Sequence, residues 1–454
     1  MRIVLAGLLV AGLAVTASAN GRDPYTSTIN FQRGNDQHIV AGMTFGAVIT
    51  DDGGATWHWM CERTIGYGGM YDPDYVYSDT GAIFATTFDG LKVMRDGCSF
   101  VATPPGMTFV SKVEQSAKDG AVYYAAADQA DGKIYKSTND GQLFDVSANP
   151  GQPGDWWSSL AVAPSDASRV YATGYRLDGN NPKVFLLFTS ANGGTSYTAM
   201  TMDGIDTVSP NSTIEIVGID STDAQTVYAK VTFETGTVGD SIYKSTNAGQ
   251  SWTKILSKSS NFGLAFLARK DGSCVAGTRE LGAWTSPNCD ATWTELTNAP
   301  HIGCLYQSST GEVWACTQNY ASPQLDIPSD DYGIMKTTDL TTWTGVLKYQ
   351  DIKGPVPCDA GTVQEDECVQ RYMDQPSQWC CLVSQLGITS TAVDCTGPLA
   401  CFAMPASDAT PDGGTTIKPP GDSCCGTGNG RSSAMLSLLV ATVLLLRRRR
   451  PKES

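Results

Sequence analysis

Residues Thr50 to Trp57 read TDDGGATW, and residues Ser245 to Trp252 read STNAGQSW. Each stretch has a hydroxyl residue first, an Asp or Asn third, a glycine fifth and an aromatic residue eighth. The Asp or Asn side chain can accept backbone N–H groups across a tight turn, and glycine supplies the positive φ that such a turn needs. The closing aromatic ring is suited to packing into an apolar layer. The pattern therefore predicts a structural turn that closes a β-hairpin.

The same pattern recurs five more times along the chain. Three copies are clear and two are degenerate: Ser137–Phe144, Ser190–Tyr197, Ser286–Trp293, Val93–Phe100 and Lys336–Trp343. The closing aromatic residues lie 41 to 55 residues apart, about the length of one four-stranded propeller blade. Period-two stretches such as Lys133–Lys136 and Thr226–Ala229 precede the repeats and predict strands. Seven repeats in register predict seven blades, with six or eight as the alternatives.

The repeat resembles the Asp-box of sialidase-like propellers. This resemblance implies an all-β, seven-bladed β-propeller over residues 20–350, with the boxes on outer turns away from the ring axis. We expect the box residues to be structural, and calcium binding is the alternative, which asparagine in four of the seven Asp positions disfavours. The structural residues are Asp52, Trp57, Asn139, Phe144, Asn192, Tyr197, Asn247, Trp252, Asn288, Trp293 and Trp343.

Both ends of the chain carry targeting features. A basic start, a short apolar stretch and an Ala-Ser-Ala site predict a cleaved signal peptide over residues 1–19. Residues 404–430 are rich in Pro, Gly, Asp, Thr and Ser and predict a flexible stalk. Residues 431–454 combine an apolar segment with four arginines, which predicts a transmembrane helix and a cytoplasmic tail. The alternative for this apolar segment is a buried core helix.

The tail also resembles the MYXO-CTERM sorting signal of myxobacteria. The matching features are Cys424 and Cys425 with flanking glycines, the apolar segment and the terminal arginines. The resemblance implies processing near one of these cysteines and a place at the cell surface. An ordinary C-terminal membrane anchor is the alternative, and it predicts the same location.

Charge and cysteine content limit the function further. The net charge of −15 argues against nucleic-acid binding, which requires a basic surface. Fourteen cysteines in an exported chain predict disulfides, and we expect no metal and no cofactor. Sequence proximity suggests the pairs Cys61–Cys98, Cys274–Cys289 and Cys304–Cys316. Residues 351–403 are expected to form a small module with three bridges of its own, loosely similar to the module of sortilin-type receptors: Cys358, Cys368, Cys380, Cys381, Cys395 and Cys401.

Three functional hypotheses remain open from the sequence. The first is a surface-anchored, non-catalytic propeller that binds an extracellular protein or glycan, as single BNR or YVTN-type propellers do. The second is a glycoside hydrolase of sialidase-like or endoglucanase-like type, although the Arg-Ile-Pro motif of sialidases is absent. The third is a structural spacer. Candidate ligand contacts are Trp156, Trp157, Tyr67 and His301, and the alternative for the paired tryptophans is packing between blades.

Overall fold

The computed structural model describes residues 23–69, 71–177, 179, 183–206, 211–232, 239–259, 263–322, 325–370, 377–389 and 393–395. Within these ranges the chain forms seven sheets, and each contains four consecutive antiparallel strands. The first strand of each sheet contacts the first strands of both neighbouring sheets, and the seventh sheet contacts the first. The ring is therefore closed, and the fold is the expected all-β, seven-bladed propeller.

The predicted signal peptide, stalk and C-terminal membrane segment lie outside the described residues. Among the described residues, no helix is long and apolar enough to cross a membrane.

The strands are numbered in chain order, four to a blade. The innermost strands are β1 Thr26–Gln32, β5 Tyr75–Tyr77, β9 Val110–Gln115, β13 Asp155–Val162, β17 Ile214–Ile219, β21 Ala265–Ala268 and β25 Cys304–Gln307. The second strands are β2 Asn35–Met43, β6 Ile83–Thr87, β10 Tyr123–Ala127, β14 Val170–Arg176, β18 Val227–Thr232, β22 Cys274–Thr278 and β26 Val313–Cys316.

Two further strands form the outer half of each blade. The third strands are β3 Gly46–Thr50, β7 Gly90–Met94, β11 Lys133–Ser137, β15 Val184–Ser190, β19 Asp240–Ser245, β23 Gly282–Ser286 and β27 Ile334–Thr337. The fourth strands are β4 His58–Met60, β8 Phe100–Ala102, β12 Asp145–Val146, β16 Thr198–Ala199, β20 Thr253–Lys258, β24 Thr294–Leu296 and β28 Thr344–Leu347.

The hydrophobic core lies between the blades. Each blade packs between two others, so its second strand is buried on both faces, as in β10, where all five residues are buried. This explains why β10 reads YYAAA without a polar alternation: the large and small side chains fill the two inter-blade layers. Phe84 of blade 2 and Tyr123 of blade 3 meet in one such layer, with ring centroids 4.8 Å apart.

Each of the seven repeats lies on the turn between the third and fourth strands of its blade. In blade 5, the side-chain oxygen Oδ1 of Asn247 accepts from Ser245 Oγ at 2.8 Å and from Ser251 N at 3.0 Å. Ser245 Oγ in turn accepts from Gly249 N at 2.9 Å. Trp252 closes the turn, and its side chain is buried in the layer between blades 4 and 5. Local hydrogen bonds stabilise each of these turns, and the turn places an aromatic ring in the core.

One repeat differs from its sequence-based assignment. In blade 6 the side chain that accepts turn N–H groups belongs to Asp290, which bonds Thr292 N at 2.8 Å, two residues after the predicted Asn288. The shift accompanies a left-handed Cys289, with φ of 50°, which is bonded to Cys274. Asp140 and Ala248, at the corresponding position of two other repeats, are also left-handed, so this backbone conformation is common to the repeats and only the accepting side chain differs in blade 6.

A segment that follows the last blade covers the first blade and includes the two longer helices. It runs from Gly354 to Leu386, and we call it the clasp. Strand β29, Gly354–Pro355, adds a fifth, parallel strand to the outer edge of β4. The helical elements near or within the clasp are α1 Glu62–Ile65, a 3₁₀ turn at Tyr349–Asp351, a π-helix at Gln364–Val369 and α2 Gln378–Leu386.

Disulfides attach the clasp to two blades. Cys61, which precedes α1, is bonded to Cys368, and Cys98 of the blade 2 turn is bonded to Cys358. The expected Cys61–Cys98 pair is therefore wrong, as is a module with three bridges of its own. Sequence proximity failed here because ring closure brings blades 1 and 2 next to the end of the chain. The remaining bonds are Cys274–Cys289, Cys304–Cys316 and Cys380–Cys395, and Cys381 is also disulfide-bonded.

Buried polar contacts complete the attachment of the clasp. The Gln364 carboxamide accepts from Cys61 N at 3.1 Å and donates to Trp59 O at 3.0 Å. The ring of Trp379, fully buried on α2, lies 5.5 Å from that of Trp59. The last turn of α2 reaches blade 7, where Tyr320 Oη donates to Leu386 O at 2.6 Å. The clasp thus spans the seam between the first and last blades.

Candidate functional site

Two kinds of loop lie on the same end of the ring. In an antiparallel blade, the hairpin between the second and third strands emerges on the same side as the connection to the next blade. The repeat turns emerge on the opposite side. Candidate ligand contacts predicted from the sequence therefore share one face with all second-to-third-strand hairpins, and we call it the hairpin face.

A continuous row of aromatic side chains crosses the hairpin face from blade 2 to blade 4. We call Tyr71, Phe88, Phe109, Trp156 and Tyr175 the aromatic row. Successive ring centroids are 4.7 Å apart for Tyr71 and Phe88, and 4.8 Å for Phe88 and Phe109. They are 6.0 Å apart for Phe109 and Trp156, and 6.2 Å for Trp156 and Tyr175.

Three separate structural devices bring these rings together. Tyr71 lies on the connection from blade 1 to blade 2, where its hydroxyl contacts Thr86 Oγ1 at 2.7 Å and donates to Val110 O at 3.1 Å. Phe88 lies on the β6–β7 hairpin, and its carbonyl accepts from Phe109 N at 3.0 Å. Trp156 and Tyr175 are cross-strand partners on β13 and β14, which sets their rings side by side. The row is thus fixed by backbone pairing as well as by ring contacts.

The ammonium group of Lys183 lies over the ring of Tyr175, at the blade 4 end of the row. Lys183 Nζ lies 4.1 Å from the ring centroid of Tyr175 and 5.8 Å from that of Phe185, the next cross-strand partner. The ammonium also donates to Ser212 O at 2.6 Å, and burial lowers the pKa of Lys183. Next to it, Arg176 forms two hydrogen bonds with the buried carboxylate of Asp155.

The aromatic row remains accessible to solvent. Phe88 is 46% exposed, and the other four rings are half-buried. Leu177 and Val184, which flank the row on the β14–β15 hairpin, are also exposed. A contiguous apolar surface of this kind, anchored on rigid strands, is suited to contact an apolar or sugar-ring face of a ligand.

The four predicted ligand contacts fall into different environments. Trp156 lies in the aromatic row. Trp157 is 3% exposed and packs in the layer between blades 3 and 4, so its ring fills inter-blade space. Tyr67 is buried at the inner end of the row, where its ring meets Tyr71 and its hydroxyl donates to Met43 O and Gly46 O.

His301 belongs to a separate place on the same face, between blades 6 and 7. Its Nδ1 lies 2.8 Å from Asp330 Oδ1, and its backbone N–H donates to Asp330 Oδ2 at 3.1 Å. The carboxylate fixes the orientation of the imidazole, whose side chain is 25% exposed. Among the described residues, no ring contact links His301 to the aromatic row. Among the described residues, no group of three or more His, Cys, Asp or Glu side chains is placed to hold a metal ion.

Four titratable side chains lie on or next to the inner strands of blades 2 and 3, near the row. Burial and the charge of Asp74 raise the pKa of Glu114 to about 8. Burial raises the pKa of Asp74, with Lys112 opposing it, and raises that of Asp128 to about 7. We call Asp74, Lys112, Glu114 and Asp128 the charged cluster. It holds one carboxyl group protonated near neutral pH, which a general acid also requires.

Three aspartates on the hairpin face have a structural task. Asp74 accepts from Val113 N of the next blade at 3.1 Å, and Asp128 accepts from Trp157 N of the next blade at 2.8 Å. Asp240 repeats this contact in blade 5 by accepting from Leu264 N at 2.8 Å. The recurrence shows that these aspartates tie neighbouring blades together. Among the described residues, no hydrogen-bond partner is assigned to the Glu114 carboxyl group.

Sequence reasoning identified Trp156 and missed the other four members of the row. Phe88 precedes Asp89 and Gly90, and Tyr71 precedes Asp72 and Pro73, so each aromatic residue sits within a turn signal. A bulky ring in a turn has no core to enter, and this is the signal that was available. Their convergence depends on the ring geometry, which the sequence does not state.

The chain is similar to several solved structures at low sequence identity. No family model and no curated protein matches the chain. Among solved structures, it is similar to a GH74 xyloglucanase from Xanthomonas campestris, at 11% identity and a TM-score of 0.40 over 71% of this chain and 66% of that one. It is also similar to the extracellular domain of a putative hybrid two-component system from B. thetaiotaomicron, at 15% identity and a TM-score of 0.46 over 69% and 38%.

A third similar structure is YCF48 from Cyanidioschyzon merolae, at 12% identity and a TM-score of 0.45 over 64% of this chain and 92% of that one. The chain spans less than two thirds of the xyloglucanase and of the two-component sensor domain. The seven sheets in a closed ring define the class of the protein as a seven-bladed β-propeller.

Proposed function

We propose that this chain is a non-catalytic propeller that binds an extracellular protein or glycan through the aromatic row. The single observation that carries the proposal is the row itself: five ring systems in continuous contact, half-buried or exposed, on one end of a rigid ring. Aromatic side chains supply large contact areas at a small cost in side-chain entropy, and they dominate the energy of binding surfaces.

The chemistry beside the row supports recognition rather than turnover. Asp74 and Asp128 are committed to backbone N–H groups of neighbouring blades, and Asp155 is paired with Arg176. Carboxylates used in this way position the innermost strands that carry Phe109 and Trp156. The charged cluster therefore helps to fix the positions of the strands that carry the aromatic row.

We further propose that the protein is exported and displayed at the cell surface. The disulfides between the clasp and blades 1 and 2 fit an oxidising compartment. The signal peptide at residues 1–19, the Asp-box or BNR type of the repeats and the anchoring tail at residues 431–454 are parts of the same proposal. Processing near Cys424 or Cys425 is included.

A binding screen tests this proposal. The secreted protein, residues 20–403, is presented to a glycan array and to cell surfaces in a pull-down, beside a Trp156→Ala variant of matched folding. We expect a saturable ligand that the variant binds more weakly. Saturable binding that the variant retains in full would reject the row as the site.

The second candidate is a glycoside hydrolase, and one observation favours it. Burial and the charge of Asp74 raise the pKa of Glu114 to about 8, and glycoside hydrolysis uses a pair of carboxyl groups of which one has a raised pKa. The two functions are separated by a panel of chromogenic glycosides assayed with the protein and with Glu114→Gln. Hydrolysis that the Gln variant abolishes would establish the hydrolase and overturn the non-catalytic proposal.

A further inference from the structure

The ring has an unusual relationship to the two ends of the chain. All four strands of blade 1 come from the N-terminal part of the chain, and all four strands of blade 7 come from consecutive residues. Only the two-residue strand β29, at the outer edge of blade 1, comes from the C-terminal part of the chain, so no sheet joins blade 1 to blade 7 across the seam. Contacts between β1 and blade 7 close it, and the clasp lies across it.

The clasp also fixes where the two ends of the ring are joined covalently. Cys61 immediately follows β4 of blade 1, and its disulfide to Cys368 closes a loop with a sequence separation of 307 residues. Within that loop, Cys98–Cys358 makes a second closure with a separation of 260 residues. Every member of the aromatic row, from Tyr71 to Tyr175, lies between Cys61 and Cys368 in the sequence and therefore within the loop that this disulfide closes.

We infer that the clasp is a mechanical bypass, which carries tension from the C-terminal side of the chain into blade 1 and leaves blades 2 to 7 unloaded. Tension that enters beyond Cys395 reaches Cys368 through α2 and then crosses the disulfide to Cys61. It therefore does not pass through β28 or any other strand of blade 7. This inference concerns tension applied between the two ends of the chain, and it rests on the disulfide connectivity, not on the proposed ligand binding.

Noncovalent contacts of the clasp support the same load path. Gln364 binds the backbone of Trp59 and Cys61, so the chain on both sides of the disulfide is held to the edge of blade 1. Thr64 Oγ1 also donates to Gln364 Oε1 at 2.9 Å. Strand β29, which precedes Cys368, pairs with β4 in parallel and holds this part of the clasp to the outer edge of blade 1. These contacts hold the chain around Cys61 and Cys368 in a fixed position.

Single-molecule force spectroscopy on the full mature protein, with handles at its two ends, tests the inference. Under oxidising conditions we expect extension only of the residues before Cys61 and after Cys368. After dithiothreitol reduces each disulfide to two thiols and is itself oxidised to a cyclic disulfide, the separation of 307 residues is released. At roughly 3.3–3.6 Å per residue, the contour length should increase by about 1,000 Å.

Two variants make the result specific. Cys61→Ser with Cys368→Ser should release, without reductant, only the residues between Cys61 and Cys98 and between Cys358 and Cys368, because the Cys98–Cys358 bond still closes the rest of the ring. Cys274→Ser with Cys289→Ser removes a disulfide inside blade 6 and should leave the oxidised extension unchanged. Reduction of the folded wild-type protein gives the same test if the first variant does not fold. An oxidised wild-type protein that extends through the region between Cys61 and Cys368 would overturn the inference, and this readout requires no ligand.

Discussion

Trp156 and Tyr175 are cross-strand partners in blade 4, and their rings lie parallel, 7° apart in plane and 6.2 Å apart in centroid. The neighbouring residue Trp157 points into the layer between blades 3 and 4 because successive side chains of a strand face opposite sides. The sequence left two roles open for the paired tryptophans, ligand contact and packing between blades. Trp156 is placed for the first role and Trp157 has the second, and one substitution at each position distinguishes them.

Trp157→Ala should destabilise the protein far more than Trp156→Ala. Trp157 is almost fully buried, so its removal leaves a cavity and should lower the free energy of unfolding by about 3–5 kcal/mol. Trp156 is half-buried on the surface, and its replacement should cost about 1 kcal/mol. Denaturant unfolding of both variants measures the difference. Equal losses would show that Trp156 is also a packing residue.

Asn247→Ala should weaken the repeat turn of blade 5. The variant loses an acceptor for Ser245 Oγ and Ser251 N, so the free energy of unfolding should fall by about 1–2 kcal/mol. Asn247→Asp is the matched control because Asp52 makes the corresponding contacts in blade 1. Thermal unfolding of the three proteins tests this, and an Asp variant as unstable as the Ala variant would contradict it.

Glu114→Gln should flatten the pH dependence of stability. The pKa of Glu114 rises from 4.5 to about 8 on folding, so the folded protein keeps a proton that the unfolded chain loses in this window. Its stabilising contribution is full below pH 4.5 and is lost as the pH rises toward 8. Between pH 5 and pH 8, wild-type stability should fall more than that of the variant, by on the order of 2 kcal/mol.

Asp74 and Asp128 remain in the Glu114→Gln variant and titrate in the same direction, since burial raises the pKa of both. The slope should therefore decrease and not vanish. Chemical denaturation at several pH values measures it. An unchanged slope would show that Glu114 is ionised in the folded protein.

Loss of the Cys61–Cys368 bond should cost more stability than loss of Cys274–Cys289. The first closes a separation of 307 residues and the second one of 15, and loop-closure entropy grows with loop length. The Cys98–Cys358 bond remains in the first variant and shortens the loop that opens, so the expected losses are about 4 and about 3 kcal/mol, respectively, in the chain-entropy description. Serine double variants compared by denaturant unfolding provide the measurement. The opposite order would indicate that the clasp does not hold the ring in its native state.

The blades were predictable from the sequence because their determinants are local. Ser245, Asn247 and Trp252 form one self-contained turn, and the spacing of such turns reports the length of a blade. The clasp was not predictable in the same way. Cys61 and Cys368 become neighbours only after seven blades have closed into a ring, so proximity in sequence favoured Cys98 as the partner of Cys61.

The candidate site shows the same division. Trp156 was identifiable as an exposed aromatic residue at the entrance of an inner strand. Phe88 and Phe109 become part of a binding surface only because the ends of blades 2 and 3 lie side by side. A feature made by three neighbouring loops leaves no pattern in any one of them.

The affinity of the ligand found in the binding screen tests the central claim most directly. Isothermal titration would compare the wild-type protein with Trp156→Ala and Phe88→Ala, with Val101→Ala as the control. Val101 is 59% exposed on the outermost strand of blade 2, away from the row. We predict at least a roughly 10-fold loss of affinity for each row variant and no change for the control. Wild-type affinity in both row variants, with their folding intact, would contradict the account.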